Sequence, residues 1–570
     1  MVTAIKGWVR EAISKVAEVN PVTVLPPTEL DNLAVPFYEM AAIDEYSGKL
    51  RDAAIVPLRD CRTGKTKFQN GDVLFAKITP CVQNRKSALV NGLPGNFACG
   101  SSEFYVLRPG KRVMPEYLFY FIRQDPVIHA AVESFIGTSG RQRVPRTFWD
   151  RLEIPLPPLP VQERIVQILQ KADEIRQKRK QALELAEAIR RTVFYDMFGD
   201  VNPNSGRWPT GPLNDLLNPE IERVNPAKAF PNQEFTYIEI AGIRDFRIAE
   251  TNRLLGRDAP SRARQVVRAG DILYSMTRPN LRNIAAVPEE LDGAICTTGF
   301  AVLRPRMPQD GPFIFEIVKS DYFTQAMSQL AASKSLYPAV DEPTIRHFQV
   351  IHPPAPLRTH FGSVANQLDS TATELRTSLL VAERTFASLL SRAFTGELTA
   401  EWEEANAEWI AQQQELHERL PQLLILALLA EKAKRASRTA AVVLVTALMK
   451  YVFLLQMEGS ASRRRLYHFV PYHYGPFAKE LYSDLEKLQE EGLVRVDNDA
   501  EEEKTKITLT DPARIDAALA VLPDELKQDV ATIIETYGDL DHNALLNAVY
   551  EKYPTYARKS RLKQKGRSSK

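Results

Sequence analysis

The sequence predicts an α+β chain: two α/β modules separated by two long helices that form an antiparallel coiled coil, plus a mostly helical C-terminal domain. Two stretches of 38 residues, Val161–Phe198 and Leu357–Phe394, each follow a proline cluster and reach a glycine within two residues of their final phenylalanine. The chain in front of each stretch carries one set of motifs in one order. Equal length at both places indicates that the length itself matters.

Both 38-residue stretches have the apolar spacing of helices that pair along their length. In the second, apolar residues recur every seven positions: Leu368, Leu375, Ala382 and Leu389. The first has a looser three-and-four spacing. At about 1.5 Å per residue, each helix spans roughly 57 Å.

The modules in front of the helices are copies of one another. Five motifs recur in order: Trp8 and Trp208, Val19–Asn20–Pro21 and Val224–Asn225–Pro226, Tyr38–Ile43 and Ile238–Ile243, Gly71–Phe75 and Gly270–Tyr274, Val106–Pro109 and Val302–Pro305. A period near 196 residues is typical of a duplicated domain and is too long for a solenoid repeat.

Each module is predicted to mix strands with short helices. The predicted strands are Asp72–Ile78, Phe104–Leu107, Asp271–Met276 and Phe300–Leu303, and the predicted helices are Pro115–Arg123 and Phe313–Lys319. The predicted domains are residues 1–158 (module 1), 159–200 (first helix), 201–355 (module 2), 356–400 (second helix) and 401–570 (C-terminal extension).

Composition limits the class of protein. A chain of 570 residues with 44% hydrophobic and 25% charged residues is typical of several soluble globular domains. The net charge is only +2, so any nucleic-acid surface must be local. The four cysteines lack CxxC and zinc spacing, which predicts reduced thiols and a cytoplasmic protein. No signal peptide is evident, and the most apolar run, Ala440–Met457, is short for a membrane span and contains a lysine.

Three features of the chain occur together: the Gly-Asp strands (Gly71–Phe75 and Gly270–Tyr274), the loops that lead into the proline clusters (Gly137–Ile165 and Ala331–Phe361), and the ending Ala393–Thr399. In this order and duplication, they resemble the DNA-specificity subunit of Type I restriction–modification enzymes over roughly residues 1–400. The second copy departs from the usual pattern, because Leu357–Arg358–Thr359 stands where the first has Val161–Gln162–Glu163.

The resemblance implies a division of labour. Each module would be a target recognition domain that reads one half of a split sequence in double-stranded DNA, and the paired helices would set the spacing. Partner modification subunits, two in number, would methylate adenines with S-adenosylmethionine. A restriction subunit would cleave DNA using ATP and Mg²⁺. This chain itself would need no cofactor and no membrane.

Loop residues that can read base edges cluster at matching places in both copies. Arginine suits guanine, and asparagine or glutamine suits adenine. The candidate DNA-binding residues are Lys77, Thr79, Gln83, Asn84, Arg85, Lys86, Ser139, Arg141, Gln142 and Arg143 in copy one, and Ser275, Thr277, Arg278, Asn280, Arg282, Asn283, Ser333, Lys334, Ser335 and Tyr337 in copy two. Because the two sets differ, we expect an asymmetric target. Nine arginines against four acids in Arg244–Arg282 predict a basic patch as well.

Catalytic motifs are incomplete. Gly64–Lys65–Thr66 resembles the end of a phosphate loop, but Arg59 stands where the first glycine belongs. Asn218–Ile221 begins like an adenine-methyltransferase motif without its second proline and aromatic residue. We therefore predict no catalytic residue and no metal site. Two alternatives stay open: a stand-alone DNA-binding regulator, and a self-contained nuclease or methyltransferase.

The C-terminal extension has a different character. Polar Glu401–Arg419 and apolar Leu420–Ala430 and Ala440–Gln456 predict helices. The helix Ala478–Glu491, followed by strands at Leu493–Val496 and Lys506–Leu509, predicts a winged-helix-like fold, and the Tyr474–Phe477 segment weakly resembles the Panacea domain. The tail Arg558–Lys570 has seven basic residues and no acid, as a disordered arm with non-specific DNA affinity would.

Overall fold

The computed structural model describes residues 7–94, 97–138, 140–332, 338–435, 442–459, 466–499 and 504–557. The chain forms two compact units. One comprises residues 1–175 and 384–570 and contains module 1 and the C-terminal domain; the other comprises residues 176–383 and contains module 2. The predicted basic tail, Arg558–Lys570, lies outside the described residues.

Module 1 is built on two four-stranded sheets. In order across the sheet, the first holds Ala54–Pro57, Ala34–Tyr38, Phe97–Gly100 and Thr66–Gln69, and the second holds Ala17–Val19, Phe104–Pro109, Val73–Ala76 and Ser87–Leu89. The helices are Ile13–Val16, Leu58–Cys61, Pro115–Ile122, Asp125–Glu133 and Phe148–Arg151. The strands Val9–Ala12 and Glu153–Leu156 pair with each other and bring the two ends of the module together.

Module 2 repeats this plan. Its larger sheet holds Asn252–Leu255, Glu234–Ile238, Ile295–Thr297 and Ala263–Val266, and its second sheet holds Ile284–Ala286, Ile272–Ser275 and Phe300–Leu303. Shorter pairs join Ile243–Arg244 to Arg247–Ile248 and Thr210–Pro212 to Gln349–Ile351. The helices are Pro226–Ala229, Gly311–Lys319, Asp321–Ala332 and Glu342–Arg346. A parallel strand pair occupies the same place in each module, so the duplication extends to topology.

Two of the repeated motifs form one ion pair in each module, buried in module 1 and partly buried in module 2. Arg108 donates from Nε and Nη2 to the carboxylate of Asp72 at 2.7 Å, and both side chains are at most 3% exposed. Arg304 binds Asp271 in the same way at 2.8 Å. The glycine before each aspartate has a left-handed φ, +82° for Gly71, which favours glycine. The Gly-Asp motif therefore ties two neighbouring strands together.

The two long helices are confirmed. The first long helix is Leu159–Phe198, of 40 residues, and the second long helix is Ala355–Ala393, of 39 residues. Both begin two residues earlier than predicted, and the first ends at the predicted residue. None of the helices in the described part of the chain has the length and apolar character of a membrane span.

Contacts within each unit show that the long helices run antiparallel. In the first unit, Ile165 near the start of one helix shares a core with Leu390 near the end of the other. In the second unit, Phe194 near the end of the first long helix lies 5.4 Å from Phe361 near the start of the second, between ring centres. The predicted antiparallel pairing is confirmed.

The C-terminal domain is mostly helical. Its helices are Ala400–Ala405, Ala407–Arg435, Val445–Glu458, Glu480–Glu490, Pro512–Leu519, Asp524–Tyr537 and His542–Lys552, and its strands are Val443–Leu444, Val470–Tyr472, Gly475–Phe477, Val494–Asp499 and Lys504–Leu509. The predicted order of a helix followed by two antiparallel strands is present. The prediction of separate helices before and after residue 420 is wrong: one helix continues across Pro421, because the apolar turns that follow are buried.

The C-terminal domain contacts module 1 beside the start of the first long helix. The Gln414 side chain accepts the backbone N–H of Leu159 at 2.9 Å. The Trp8 indole donates to Glu403 at 3.2 Å, and the Lys111 ammonium lies 5.2 Å from the ring centre of Tyr467. This domain therefore caps the N-terminal end of that helix.

The prediction that all four cysteines are reduced thiols is wrong for one pair. Cys61 and Cys99 form a disulfide with a Cα–Cα distance of 6.0 Å. Both belong to a small apolar core that the fold assembles from segments 38 residues apart. A search for local cysteine spacing does not detect such a pair. Cys81 and Cys296 are free thiols.

Candidate nucleic-acid interface

In module 1 the fold brings the two predicted DNA-binding segments together. The backbone N–H of Thr79 donates to the carbonyl of Gln142 at 3.1 Å, and the N–H of Val144 donates to the carbonyl of Lys77 at 2.8 Å. Ile78 and Arg143 form an antiparallel bridge between these bonds. The loop after the Gly-Asp strand and the loop before the proline cluster thus form one surface, which we call the paired loops.

Module 2 has the same paired loops. Here the backbone N–H of Arg278 donates to the carbonyl of Pro338, and the N–H of Val340 donates to the carbonyl of Met276, both at 2.9 Å. Thr277 and Ala339 form the bridge. Four predicted residues of this module, Ser333, Lys334, Ser335 and Tyr337, lie outside the described residues, as does Ser139 of module 1.

Two predicted DNA-binding arginines are held by ion pairs inside their own modules. Arg85 binds Asp125, and Arg282 binds Asp321. Both arginines have a left-handed φ, 55° and 51°, and both aspartates are the first residue of a helix. The Arg282 guanidinium holds the pKa of Asp321 below its usual value. The two pairs occupy equivalent places, so each anchors its loop to the following helix.

Other predicted residues of module 1 are also engaged. Arg143 binds Glu103 with both carboxylate oxygens, at 2.8 and 3.0 Å, and this hydrogen bonding lowers the pKa of Glu103. Lys86 lies 3.6 Å from Glu45 and donates to a backbone carbonyl, and Asn84 donates to Glu45 at 3.2 Å. These side chains hold the loop in position.

The remaining predicted residues differ in exposure. Gln83, Arg141, Thr277, Arg278 and Asn280 are exposed, whereas Lys77, Thr79, Gln142 and Asn283 are partly buried and Ser275 is buried. Within the described ranges, Arg141 and Arg278 make no ion pair, so their guanidinium groups are available to a ligand. The Ser275 hydroxyl donates to the carbonyl of Thr277 at 3.0 Å and supports the loop from below.

The predicted basic patch of module 2 is partly neutralised by carboxylates, three of which lie outside the Arg244–Arg282 stretch. Five of its nine arginines pair with carboxylates: Arg244 with Glu250, Arg247 with Glu187, Arg257 with Asp258, Arg268 with Glu222, and Arg282 with Asp321. In the part of the chain that the structure describes, Arg253, Arg262 and Arg278 are exposed and form no ion pair. The positive field of this region therefore comes from fewer residues than the sequence indicates.

Sequence reasoning missed the anchoring acids. Asp125 and Asp321 are separated by the repeat offset of 196, and each lies about 40 residues from its arginine. The 196-residue separation of the two aspartates was the sequence signal that could have identified them. No group of three His, Cys, Asp or Glu side chains with a metal-binding arrangement occurs among the described residues. The absence of a metal or cofactor site in the whole chain stays a prediction.

Comparison with known proteins finds similarity in the first copy. Residues 6–185 match the family model for the Type I restriction modification DNA specificity domain. The chain is 30% identical over 193 residues to the Type I restriction enzyme EcoAI specificity subunit of Escherichia coli, covering 33% of this chain and 32% of that subunit. It is 23% identical over 340 residues to the EcoKI specificity subunit of Escherichia coli strain K12, covering 55% and 72%. The chain thus spans about a third of the length of EcoAI.

Two solved structures are also similar. The HsdS subunit from Thermoanaerobacter tengcongensis is 20% identical, with a TM-score of 0.32 and coverage of 69% of this chain and 98% of that one. The S subunit of the Type I restriction–modification system from M. genitalium is 14% identical, with a TM-score of 0.41 and coverage of 68% and 96%. The family match thus covers residues 6–185, the first of the two copies.

Proposed function

We propose that this chain is the sequence-specific DNA-binding subunit of a Type I restriction–modification complex. It reads a bipartite, asymmetric target and directs adenine methylation or cleavage by partner subunits. One observation carries the proposal: paired loops with the same backbone bonds occur in both modules, yet they present different side chains. Each module is then a reader of one half-site.

The exposed side chains of the paired loops suit the major groove. The Arg141 and Arg278 guanidinium groups match guanine O6 and N7, and the Gln83 and Asn280 amides match adenine N6 and N7. The anchors at Arg85 and Arg282 keep the loops in place before DNA arrives, which reduces the entropy lost on binding. Unequal side chains in the two modules imply unequal half-sites.

The two long helices supply the spacing. A continuous helix of 40 residues is about 60 Å long and cannot shorten without losing backbone hydrogen bonds. Four residues inserted in Arg176–Leu183 lengthen the helix by about 6 Å and rotate everything after it by about 40°. We expect the insertion to change the gap of the recognised sequence or to abolish recognition. An unchanged gap would refute this role for the helices.

Partner subunits supply the chemistry. Leu185, Ile189, Leu380 and Val381 on the long helices are each at least 41% exposed, an apolar surface that suits protein partners. In this proposal two modification subunits bind S-adenosylmethionine and flip the target adenine out of the duplex. A restriction subunit uses ATP and Mg²⁺, and the chain described here acts without catalysis in the cytoplasm, where the DNA is.

The test is a methylome. The chain is co-expressed with its modification subunit in a host without adenine methylation, and N6-methyladenine is mapped by long-read sequencing. We expect a new motif of two short halves around a fixed gap. Replacing residues 1–158 with those of another specificity subunit should change one half only. No motif from two soluble, expressed chains, together with selective DNA binding by this chain alone, would favour the stand-alone regulator.

A further inference from the structure

The end of each long helix rests on a module through equivalent residues. Phe198, which ends the first long helix, lies 4.9 Å from Phe313 of module 2 between ring centres. Phe394, which follows the second long helix, lies 4.9 Å from Tyr117 of module 1. We call these contacts seat 2 and seat 1. On both sides of the contact, the equivalent residues are 196 positions apart.

Two turns before these phenylalanines, the seats differ in chemistry. In seat 2, Arg190 Nε lies 3.1 Å from a carboxylate oxygen of Glu316, a side chain only 5% exposed, and Arg190 Nη1 donates to Asp369 at 2.7 Å. In seat 1, the same two positions are Phe386 and Tyr120, whose ring centres are 6.2 Å apart. The offset of 196 relates Arg190 to Phe386 and Glu316 to Tyr120.

Each seat would therefore reject the other helix end. A phenylalanine in place of Arg190 would leave the buried Glu316 carboxylate with only the Lys319 ammonium, 3.9 Å away, as counter-ion. Losing the closer partner of a buried charge is unfavourable. An arginine in place of Phe386 would bring a charge against the Tyr120 ring with no carboxylate at that position. Discrimination by an unpaired buried charge is a common device of specific interfaces.

We propose that Arg190 and Phe386 determine which helix end binds which module. The two seats are alike in having an aromatic pair at the same distance and an antiparallel helix beside it. If both seats had the same residue pair at these two positions, either helix end would fit either module, in the same chain or in a second copy. The polar pair Arg190–Glu316 of seat 2 and the aromatic pair Phe386–Tyr120 of seat 1 remove that ambiguity.

The proposal goes beyond DNA reading and does not depend on it. It concerns how one chain with two similar modules assembles in a single order. Its consequence is that every folded chain keeps one copy of each module in its own place. Assembly can be measured without DNA or partner subunits, so a failure here leaves the proposed function untouched.

The test replaces the Arg190–Glu316 pair of seat 2 in the full chain. Arg190→Phe and Glu316→Tyr each leave one residue of the pair without its partner. The double variant gives seat 2 the aromatic pair of seat 1. We expect each single change to lower the Tm by about 4–8 °C and the double variant to regain at least half of the summed loss. Phe386→Arg, Tyr120→Glu and their combination form the matched set for seat 1.

A second measurement addresses discrimination directly. Two differently tagged full-length chains are unfolded together, refolded, and captured by one tag. We expect the double seat 2 variant to carry over at least about ten times more of the second tag than the native chain does, because its helix ends have become interchangeable. A double variant as unstable as the summed singles, or a carry-over equal to that of the native chain, would overturn the proposal. If the singles do not fold, the double variants still decide it.

Discussion

Removing the aspartate of the Gly-Asp motif should destabilise the two modules unequally. In Asp72→Ala the Arg108 guanidinium, 3% exposed, loses both charged hydrogen bonds and keeps a neutral one to Thr23 at 3.2 Å. Breaking a buried pair from one side costs about 3–5 kcal/mol. In Asp271→Ala the Arg304 side chain is 21% exposed, so water recovers part of its solvation. We expect a loss of about 1–3 kcal/mol there.

Both variants also lose a second interaction of equal size. The Asp72 carboxylate accepts the backbone N–H of Gln69 at 2.9 Å, and Asp271 accepts that of Arg268 at 2.8 Å. Each bond contributes about 1 kcal/mol, so it adds to both losses without changing their order. The difference between the modules therefore reports the burial of the arginine.

Native-state hydrogen exchange measures the two losses separately, because each strand reports its own local opening. Peptides covering Val73–Ala76 should exchange about 10²-fold faster or more in Asp72→Ala, and peptides covering Ile272–Ser275 should change less in Asp271→Ala. The control is Asp72→Ala with Arg108→Met, which leaves no stranded charge and should recover much of the protection. An effect in module 2 equal to or larger than that in module 1 would refute the reasoning.

Three further predictions concern single residues. Arg141→Ala should weaken base discrimination at the half-site read by module 1 by about 1–3 kcal/mol, and Arg278→Ala should do the same only at the other half-site. Competition binding with duplexes mutated in one half-site measures both effects. Loss of discrimination at both half-sites from one substitution would contradict the assignment. Burial raises the pKa of Cys296 to about 12, so at pH 8 iodoacetamide should label it only after unfolding, while Cys61 and Cys99 should require a reductant; mass spectrometry of the labelled peptides with and without denaturant decides this. Burial lowers the pKa of Lys450 to about 8, so between pH 8 and 10.5 the unfolded chain binds more protons than the folded chain. The stability contributed by this site therefore rises with pH across that window. Lys450→Met should raise the Tm at pH 7 and flatten the rise of Tm with pH, whereas Lys527→Met, at a partly exposed lysine, should do neither.

The long helices and the duplicated modules could be predicted because their signals are local or periodic. Apolar spacing and the proline stops placed Leu159–Phe198 to within two residues. The Gly-Asp motif was recognised as a marker, but its role as the counter-ion of Arg108 depends on a contact between strands 36 residues apart. The disulfide between Cys61 and Cys99 was missed for the same reason.

The candidate interface shows the same limit. The sequence placed Arg85 and Arg141 in polar loops, and polar loops supply most binding residues. It did not show that Arg85 is held by Asp125 while Arg141 is exposed, because the acid lies in a separate helix 40 residues away. Distinguishing an anchor from a reader needs the tertiary contact. The net charge of the Arg244–Arg282 stretch failed as a guide in the same way, since Glu187 and Glu222 lie outside it.

The bonds described above that join the two segments of the paired loops to each other run between backbone atoms: Thr79 to Gln142 and Val144 to Lys77 in module 1, and Arg278 to Pro338 and Val340 to Met276 in module 2. Such bonds do not depend on which side chains the loops carry, proline apart. A mutation at Gln83 or Arg141 can therefore change the chemistry of the exposed surface without moving the loop that presents it. Under the proposed function, a lineage exposed to changing foreign DNA acquires new target sequences by single substitutions, each tested by selection on an unaltered scaffold.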